Sequence, residues 1–425
     1  MLDANVWRRM IGVDRATVIE DVDFDEDSDT VVVHVRPRRS SKRRCGRCGT
    51  RAPGYDQGEG RRNWRALDLG NLRCFLQSSS PRVKCPTHGP TVAQVPWARH
   101  DAGHTRDFDD TVAWLAVQTS KTAVTELMRV AWRSVGAIVT RVSADIDAKV
   151  DRLNGLSRIG IDEISYKRGH RFLTVIVDHD TRRLVWAAPG RDKATLHGFF
   201  DALGDERSAR ITHVSADSAD WIAKCVSVRC PSAVLCADPF HVVSWATVAL
   251  DETRRKLWNQ ARGGRTPLPS ERRRTSWPLR SHELRRVRWA LWKNPEDVTE
   301  HQQHQLDWIA ENHPKLWRAY RLKEGLRYVF AVKGEEGKEA LDAWLAWASR
   351  SQLPDFVRLA KTIRRHRPSI DATLEHDLSN GLIESMNAKI RVLTRVAYGF
   401  RSPAALMALA MLAYGGHRPA LPGRE

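Results

Sequence analysis

The chain has 425 residues, more than the roughly 250–300 at which a single core stops growing, so two or more domains are expected. Its 69 basic residues against 51 acidic ones give a formal charge of +18, which suits a polyanion, either nucleic acid or an anionic membrane. No apolar run approaches the ~20 residues needed to cross a bilayer, and MLDANVWRRMIGVDRATVIE lacks the apolar stretch of an export signal. The expectation is a soluble, intracellular protein that binds nucleic acid, with no membrane partner. The 7 cysteines are then ligands or core residues rather than a disulfide framework.

Residues 16–37 read as two strands with partial apolar alternation, followed by the basic run RPRRSSKRRCGRCG. That run ends in Cys45-x-x-Cys48, and its counterpart is Cys85-x-x-His88 in PRVKCPTHG. A two-residue gap lets one turn supply two ligands, and zinc takes four thiolates or imidazoles in a tetrahedron. Cys45, Cys48, Cys85 and His88 are the expected ligands of a structural Zn2+. Cys74, Cys225, Cys230 and Cys236 lack ligand spacing and are expected in the core.

Residues 105–150 carry helical periodicity. Phe108, Val112 and Leu115 mark one helix, KTAVTELMRVA a second, and SVGAIVTRVSADI a third, capped by serine after a turn at Trp132–Ser134. Three short helices of this kind resemble a helix-turn-helix unit. Arg133, Ser134 and Arg141 are its candidate DNA-facing residues.

From residue 158 strand patterning takes over, in the order β-β-β-α-β-α-β through RIGIDEISYK, RFLTVIVDHD, RLVWAAPG, a helix, RITHVSAD, a helix and SAVLCAD. An opening meander followed by alternation describes a mixed, ribonuclease-H-like sheet. Residues 242–378 read as an all-α insertion rich in arginine and tryptophan, containing the polar loop ARGGRTPLPSERRRTSWP. Core packing is the expected role of its tryptophans. The predicted fold is therefore α+β and multidomain: a strand hairpin and zinc-binding ribbon (1–100), a helix-turn-helix (101–152), the first part of a ribonuclease-H-like core (153–241), the insertion (242–378), and the core's C-terminal helices (379–425).

Acids inside or at the ends of central strands cost free energy unless a cation or partner offsets their charge. Asp162 lies in the first core strand, Asp217 ends the fourth in HVSAD, and Asp238 ends the fifth in VLCAD. Glu163, next to Asp162, is expected on the opposite strand face, in solvent. The segment HDLSNGLIESMNAKIRVLTRVAYGF holds Glu384. At about 100° per residue, Glu384, Asn387, Ala388, Arg391 and Arg395 share one helix face, opposite an apolar stripe of Leu382, Met386, Ile390, Leu393 and Ala397. Two strand-borne aspartates and a helix-borne glutamate form a set suited to divalent cations and to in-line displacement at phosphorus.

The stretches IGIDEISYKRGHRFLTVIVDHDTRRLVWAAPGRDKATL, CADPFHVV and NGLIESMNAKIRVLTRVAYGFRS resemble the transposases of the ISL3 insertion-sequence family, which are DDE recombinases. The resemblance covers nearly the whole chain. It implies Mg2+-dependent (or Mn2+-dependent) cleavage with two ions at the element's terminal inverted repeats. The freed 3′-OH would then be transferred to target DNA by a dimer or larger homo-oligomer in the bacterial cytoplasm, at the nucleoid. Asp162 and Glu384 match the first and last acids, and either Asp217 or Asp238 matches the second. In the ribonuclease-H-like order the second ligand follows the fourth strand, which selects Asp217 and leaves Asp238 and His241 as supporting residues. Pro239 departs from the arginine common there. Arg391 and Arg395 would lie along the DNA backbone. A regulator derived from a transposase, or a ribonuclease-H-like nuclease without strand transfer, are the alternative functions.

Overall fold

The computed structural model describes residues 3–424 apart from Arg168, His170, Ser218, residues 264–280 and Arg401. Most of the polar loop expected at residues 261–278 lies outside the described residues. The chain forms two compact units: Met1–Asn154 with Arg183–Ala187 and Ala388–Glu425, and Gly155–Arg182 with Ala188–Asn387.

The first unit opens with helix α1 (Ala4–Met10) and strands β1 (Thr17–Asp25) and β2 (Thr30–Pro37), then β3 (Gly54–Asp56), β4 (Arg61–Arg65), β5 (Arg73–Ser79), β6 (Arg82–Cys85) and β7 (Gly89–Val92). They make two sheets, ordered β1-β2-β5-β4 and β3-β6-β7. Alternate residues of β2 and β5 (Val31, Val33, Val35, Cys74, Leu76) pack with Trp64 and Trp97 in the core of the larger sheet. Three helices follow, α2 (Arg106–Gln118), α3 (Lys121–Leu127) and α4 (Trp132–Asp147). Thr105 and Ser120 cap the first two, accepting hydrogen bonds from Phe108 N and Ala123 N. The third starts two residues earlier than its pattern suggests. Ala131 precedes it without a side-chain cap, so Ser134 lies inside the first turn rather than capping the helix.

From residue 155 come β8 (Arg158–Lys167), β9 (Arg171–Asp178), β10 (Arg183–Pro189), α5 (Lys193–Leu203), α6 (Asp205–Ser208), β11 (His213–Ala216), α7 (Asp220–Arg229) and β12 (Val234–Ala237), all in the second unit except Arg183–Ala187 of β10. The sheet order is β10-β9-β8-β11-β12. β8 runs antiparallel to β9 and parallel to β11, which is itself parallel to β12. Central strands covered on both faces should be apolar throughout, and β9 is buried from Leu173 to Asp178. Gly160 in β8 answers to a close approach. A Cβ there would lie 2.9 Å from Val177 Cγ2 and 3.0 Å from His179 Nε2, the ring that meets Ser215 Oγ at 2.8 Å.

After β12 come α8 (Pro239–Gly263), α9 (Ser281–Arg286), α10 (Arg288–Trp292), α11 (Glu300–Asn312), α12 (Pro314–Val332), α13 (Gly334–Ser349), α14 (Pro354–Arg365) and α15 (Arg367–His376). They share one core that includes Leu250, Leu322, Leu326, Trp344, Phe356 and Ile363. Trp344 is buried and donates its indole N–H to Leu322 O at 2.7 Å. Trp258, Trp292, Trp308 and Trp317 pack partly buried against that core, while Trp347 is 36% exposed. Thr373 on α15 donates to Ala237 O at 2.7 Å, tying the helical region to the end of β12. The chain closes with α16 (Gly381–Val396) and α17 (Pro403–Tyr414). No described helix is long and apolar enough to cross a membrane.

Candidate functional site

Cys45 and Cys48 sit in a turn, Cys85 ends β6, and His88 precedes β7. Among the described residues these four are the one group of Cys, His, Asp or Glu gathered closely enough to hold a metal ion, with ligand atoms all within 4.8 Å. A zinc ion about 2.3 Å from sulfur and about 2.0–2.1 Å from nitrogen sets tetrahedral edges of about 3.8 Å between sulfurs and about 3.6 Å between sulfur and nitrogen. Here Cys48 Sγ lies 3.7 Å from Cys85 Sγ, and His88 Nδ1 lies 3.6 Å from both Cys45 Sγ and Cys85 Sγ. The edges fit. The Thr50 hydroxyl and backbone N–H beside Cys48 bring its thiol down to about 6, which favours the ligating thiolate. Cys74, buried in the neighbouring sheet, is pushed up to about 12 by desolvation, and burial likewise raises Cys230 and Cys236 to about 11.

The carboxylates of the mixed sheet are aligned by register. Ala216 pairs with Ile161 on one side and with Ala237 on the other. The next residues, Asp162, Asp217 and Asp238, therefore stand abreast on β8 and at the ends of β11 and β12. Neighbouring strands lie about 4.8 Å apart, so Asp217 is one strand from Asp162 and Asp238 is two.

The three aspartates have different partners. Asp162 Oδ2 accepts from Asn387 Nδ2 at 2.7 Å. Asp217 Oδ1 lies 3.0 Å from His241 Nε2. Asp238 is 5% exposed and accepts from His241 N at 3.2 Å, while its backbone carbonyl accepts from Val242 N at 3.0 Å. That is an N-cap, with Pro239 opening α8 behind it. Burial raises the Asp238 carboxyl above its ordinary value, against the backbone N–H groups of His241, Phe240 and Asn380. Asp238 thus joins the start of α8 to the residue before α16.

Glu163 is not in solvent as its position suggests. Its side chain is 7% exposed and lies 3.7 Å from Arg191 Nε. Desolvation raises its carboxyl, Arg191 opposes this, and the charges of Asp162 and Asp217 add to it. It belongs to the same acidic neighbourhood.

α16 begins at Gly381, with Glu384 N donating to Asn380 O at 2.8 Å. Its buried stripe is Ile383, Met386, Ile390, Leu393 and Ala397, with Asn387 at 2% exposure among them. Leu382 is half-buried, and Glu384 is exposed one turn before Asn387. Asp162, Asp217 and Glu384 are not gathered into a cluster as tight as the Cys3His group. Arg391 and Arg395 are exposed further along the helix.

In the three-helix unit Arg133 is exposed and Ser134 half-exposed. Arg141 is turned inward instead. It grips Asp109, whose side chain is 0% exposed, with Nε–Oδ2 at 2.9 Å and Nη2–Oδ1 at 3.1 Å. A guanidinium holding a buried carboxylate by two hydrogen bonds is part of the bundle's own structure.

A zinc-ligand ribbon, a three-helix unit and a sheet with aspartates abreast define a class, and the relatives give it a name. The chain belongs to the ISL3 family of transposases. Residues 159–410 match that family's “Transposase” region, 93–143 the “Helix-turn-helix domain of transposase family ISL3”, and 41–88 the “zinc-finger of transposase IS204/IS1001/IS1096/IS1165”. It is 61% identical over 442 residues, covering 100% of this chain and 98% of the relative, to the “Transposase for insertion sequence element IS1557” of Mycobacterium tuberculosis, in both strain CDC 1551 / Oshkosh and strain H37Rv. It is 25% identical over 388 residues, 90% of this chain and 91% of the relative, to the “Transposase for insertion sequence element IS1001” of Bordetella parapertussis.

Proposed function

We propose that the chain binds the ends of an insertion sequence and performs metal-dependent cleavage and 3′-OH strand transfer at DNA phosphodiesters. The observation that carries this reading is the register that sets Asp217 on the strand beside Asp162, with α16, the helix of Glu384, hydrogen-bonded to Asp162 through Asn387. The strand order, with β9 antiparallel and β11 and β12 parallel to β8's direction, supports a ribonuclease-H-like core. The segments 1–100, 101–152, 153–241, 242–378 and 379–425 are the domains we assign to it.

On this reading Asp162, Asp217 and Glu384 hold Mg2+ or Mn2+. A fit is supported by the surplus of oxygen acceptors here: three carboxylates of like charge, and buried amide oxygens of Asn380 and Asn387 that have no donor among the described residues. Bound divalent ions would polarise the scissile phosphate and activate the attacking oxygen. The chain's own residues do the holding. Asn387 orients Asp162, His241 orients Asp217, and Asp238 fixes the start of α8 against Asn380. Arg133, Ser134, Arg391 and Arg395 contact DNA, chiefly its phosphates, where each cation adds a salt-sensitive increment to affinity. Joining two ends to one target calls for two active sites, hence a dimer or larger.

The test is direct. The protein and Mg2+ are incubated with labelled DNA carrying the element's flanking repeats and with a plasmid target. Joined products are expected. Nicking without joining would reduce the function to that of a nuclease, and binding alone would make the chain a regulator.

A further inference from the structure

Asn387 is 2% exposed, and its amide can face only one way. Nδ2 meets Asp162 Oδ2 at 2.7 Å. Rotating the amide would set its oxygen against a carboxylate oxygen, acceptor against acceptor. The orientation that satisfies Asp162 leaves Oδ1 buried without a donor among the described residues. Native proteins seldom leave a buried acceptor unpaired, and exceptions call for a missing partner.

A second case lies just before the same helix. Asn380, 3% exposed, also has a buried Oδ1 without a donor, while its backbone N–H serves Asp238. Two donorless amide oxygens therefore bracket Glu384. What they lack is positive charge or bound hydrogen, in a place already crowded with carboxylates.

Resting on the catalytic reading above, we infer that Asn387 is a positioning residue for the cation site: its amide nitrogen fixes the Asp162 carboxylate, and its amide oxygen accepts a hydrogen bond from a water in the cation's hydration shell. Mg2+ and Mn2+ suit this role. Mg2+ keeps several waters when only one or two carboxylates bind it, and those waters need acceptors aimed at them. Partners behind the direct ligands commonly set metal affinity by 10–100-fold.

Mn2+ binding to the full chain, measured by calorimetry or by loss of the free-ion electron spin resonance signal, tests this without reference to turnover. Asn387→Leu keeps the volume and removes both polar functions. Asn387→Gln keeps both the amide donor and the amide acceptor. The inference predicts that the leucine variant weakens Mn2+ about tenfold or more, while the glutamine variant stays within about threefold of the parent. A packing role would give the reverse order, because leucine is the better apolar isostere. Asn387→Ala replaces the leucine variant if that one unfolds. Asp162→Asn is the control. If it loses Mn2+ and both apolar variants at 387 bind like the parent, the inference is wrong and the catalytic reading stands. If Asp162→Asn also binds like the parent, the cation site itself is misassigned, and the inference falls with it.

Discussion

Arg141 is the position where sequence and structure disagree most usefully. Its helix-turn-helix placement suggests a DNA contact, but its guanidinium makes two hydrogen bonds to a fully buried carboxylate. Hydrogen bonds to charged groups contribute about 1.5–3 kcal/mol each, and stripping one partner from a buried pair costs roughly 3–5 kcal/mol. Some of that loss is recovered here. Arg99 Nη1 stays 3.8 Å from Asp109 Oδ2 and His104 Nδ1 3.6 Å from Oδ1. Arg141→Ala should therefore lower the local stability of the bundle by roughly 2–4 kcal/mol. At 1.4 kcal/mol per decade, hydrogen-exchange protection in α2 and α4 should fall by about 30-fold to several hundred-fold. Arg133→Ala, at an exposed position, should leave protection unchanged and reduce the salt slope of DNA binding by about one unit. Unchanged protection in Arg141→Ala, with DNA binding lost, would refute the structural role.

Two further outcomes follow from the ribbon and the helical region. In zinc-stripped protein at pH 7, Cys48, held near 6, should be alkylated rapidly and Cys74, near 12, should not, as peptide mapping would show. Because the folded Cys48 thiol lies below its ordinary value of 9.0, its favourable contribution is complete above that value and is lost as pH falls through about 6. Protonation of the ligands on acidification should release zinc, read with a chromogenic chelator. Trp344→Ala, which empties a 3% exposed site and strands the Leu322 carbonyl, should cost about 3–5 kcal/mol. A matched change at Trp289, 61% exposed, should shift thermal unfolding little.

Much of this was legible because the signals were local. Cys-x-x-Cys and Cys-x-x-His need only a turn each, so the ligand set could be read before any fold was known. Strand alternation likewise depends on neighbouring residues. What was hidden depends on pairing across the chain. Nothing in the sequence near Arg141 announces that Asp109 is buried opposite it. Glu163 looked solvated by alternation alone, but it sits beside Asp162 in a strand whose surroundings bury both faces. Asn387 was visible on the Glu384 face, yet its hydrogen bond to a residue 225 positions away was not. The equal register of Asp162, Asp217 and Asp238 also emerges only when β8, β11 and β12 are aligned.

The central claim is that Asp162, Asp217 and Glu384 act together on phosphodiesters, with Asp238 holding the start of α8. The most direct measurement is Mg2+-dependent cleavage of an end-containing duplex by Asp162→Asn, Asp217→Asn, Glu384→Gln and Asp238→Asn, with DNA binding measured alongside. The account predicts that the first three lose at least about 100-fold in cleavage, since ligands should matter no less than the residues behind them, while binding DNA normally. Asp238→Asn, which can still cap the helix, should keep substantially more activity. Full activity in Asp217→Asn, with none in Asp238→Asn, would contradict the assignment.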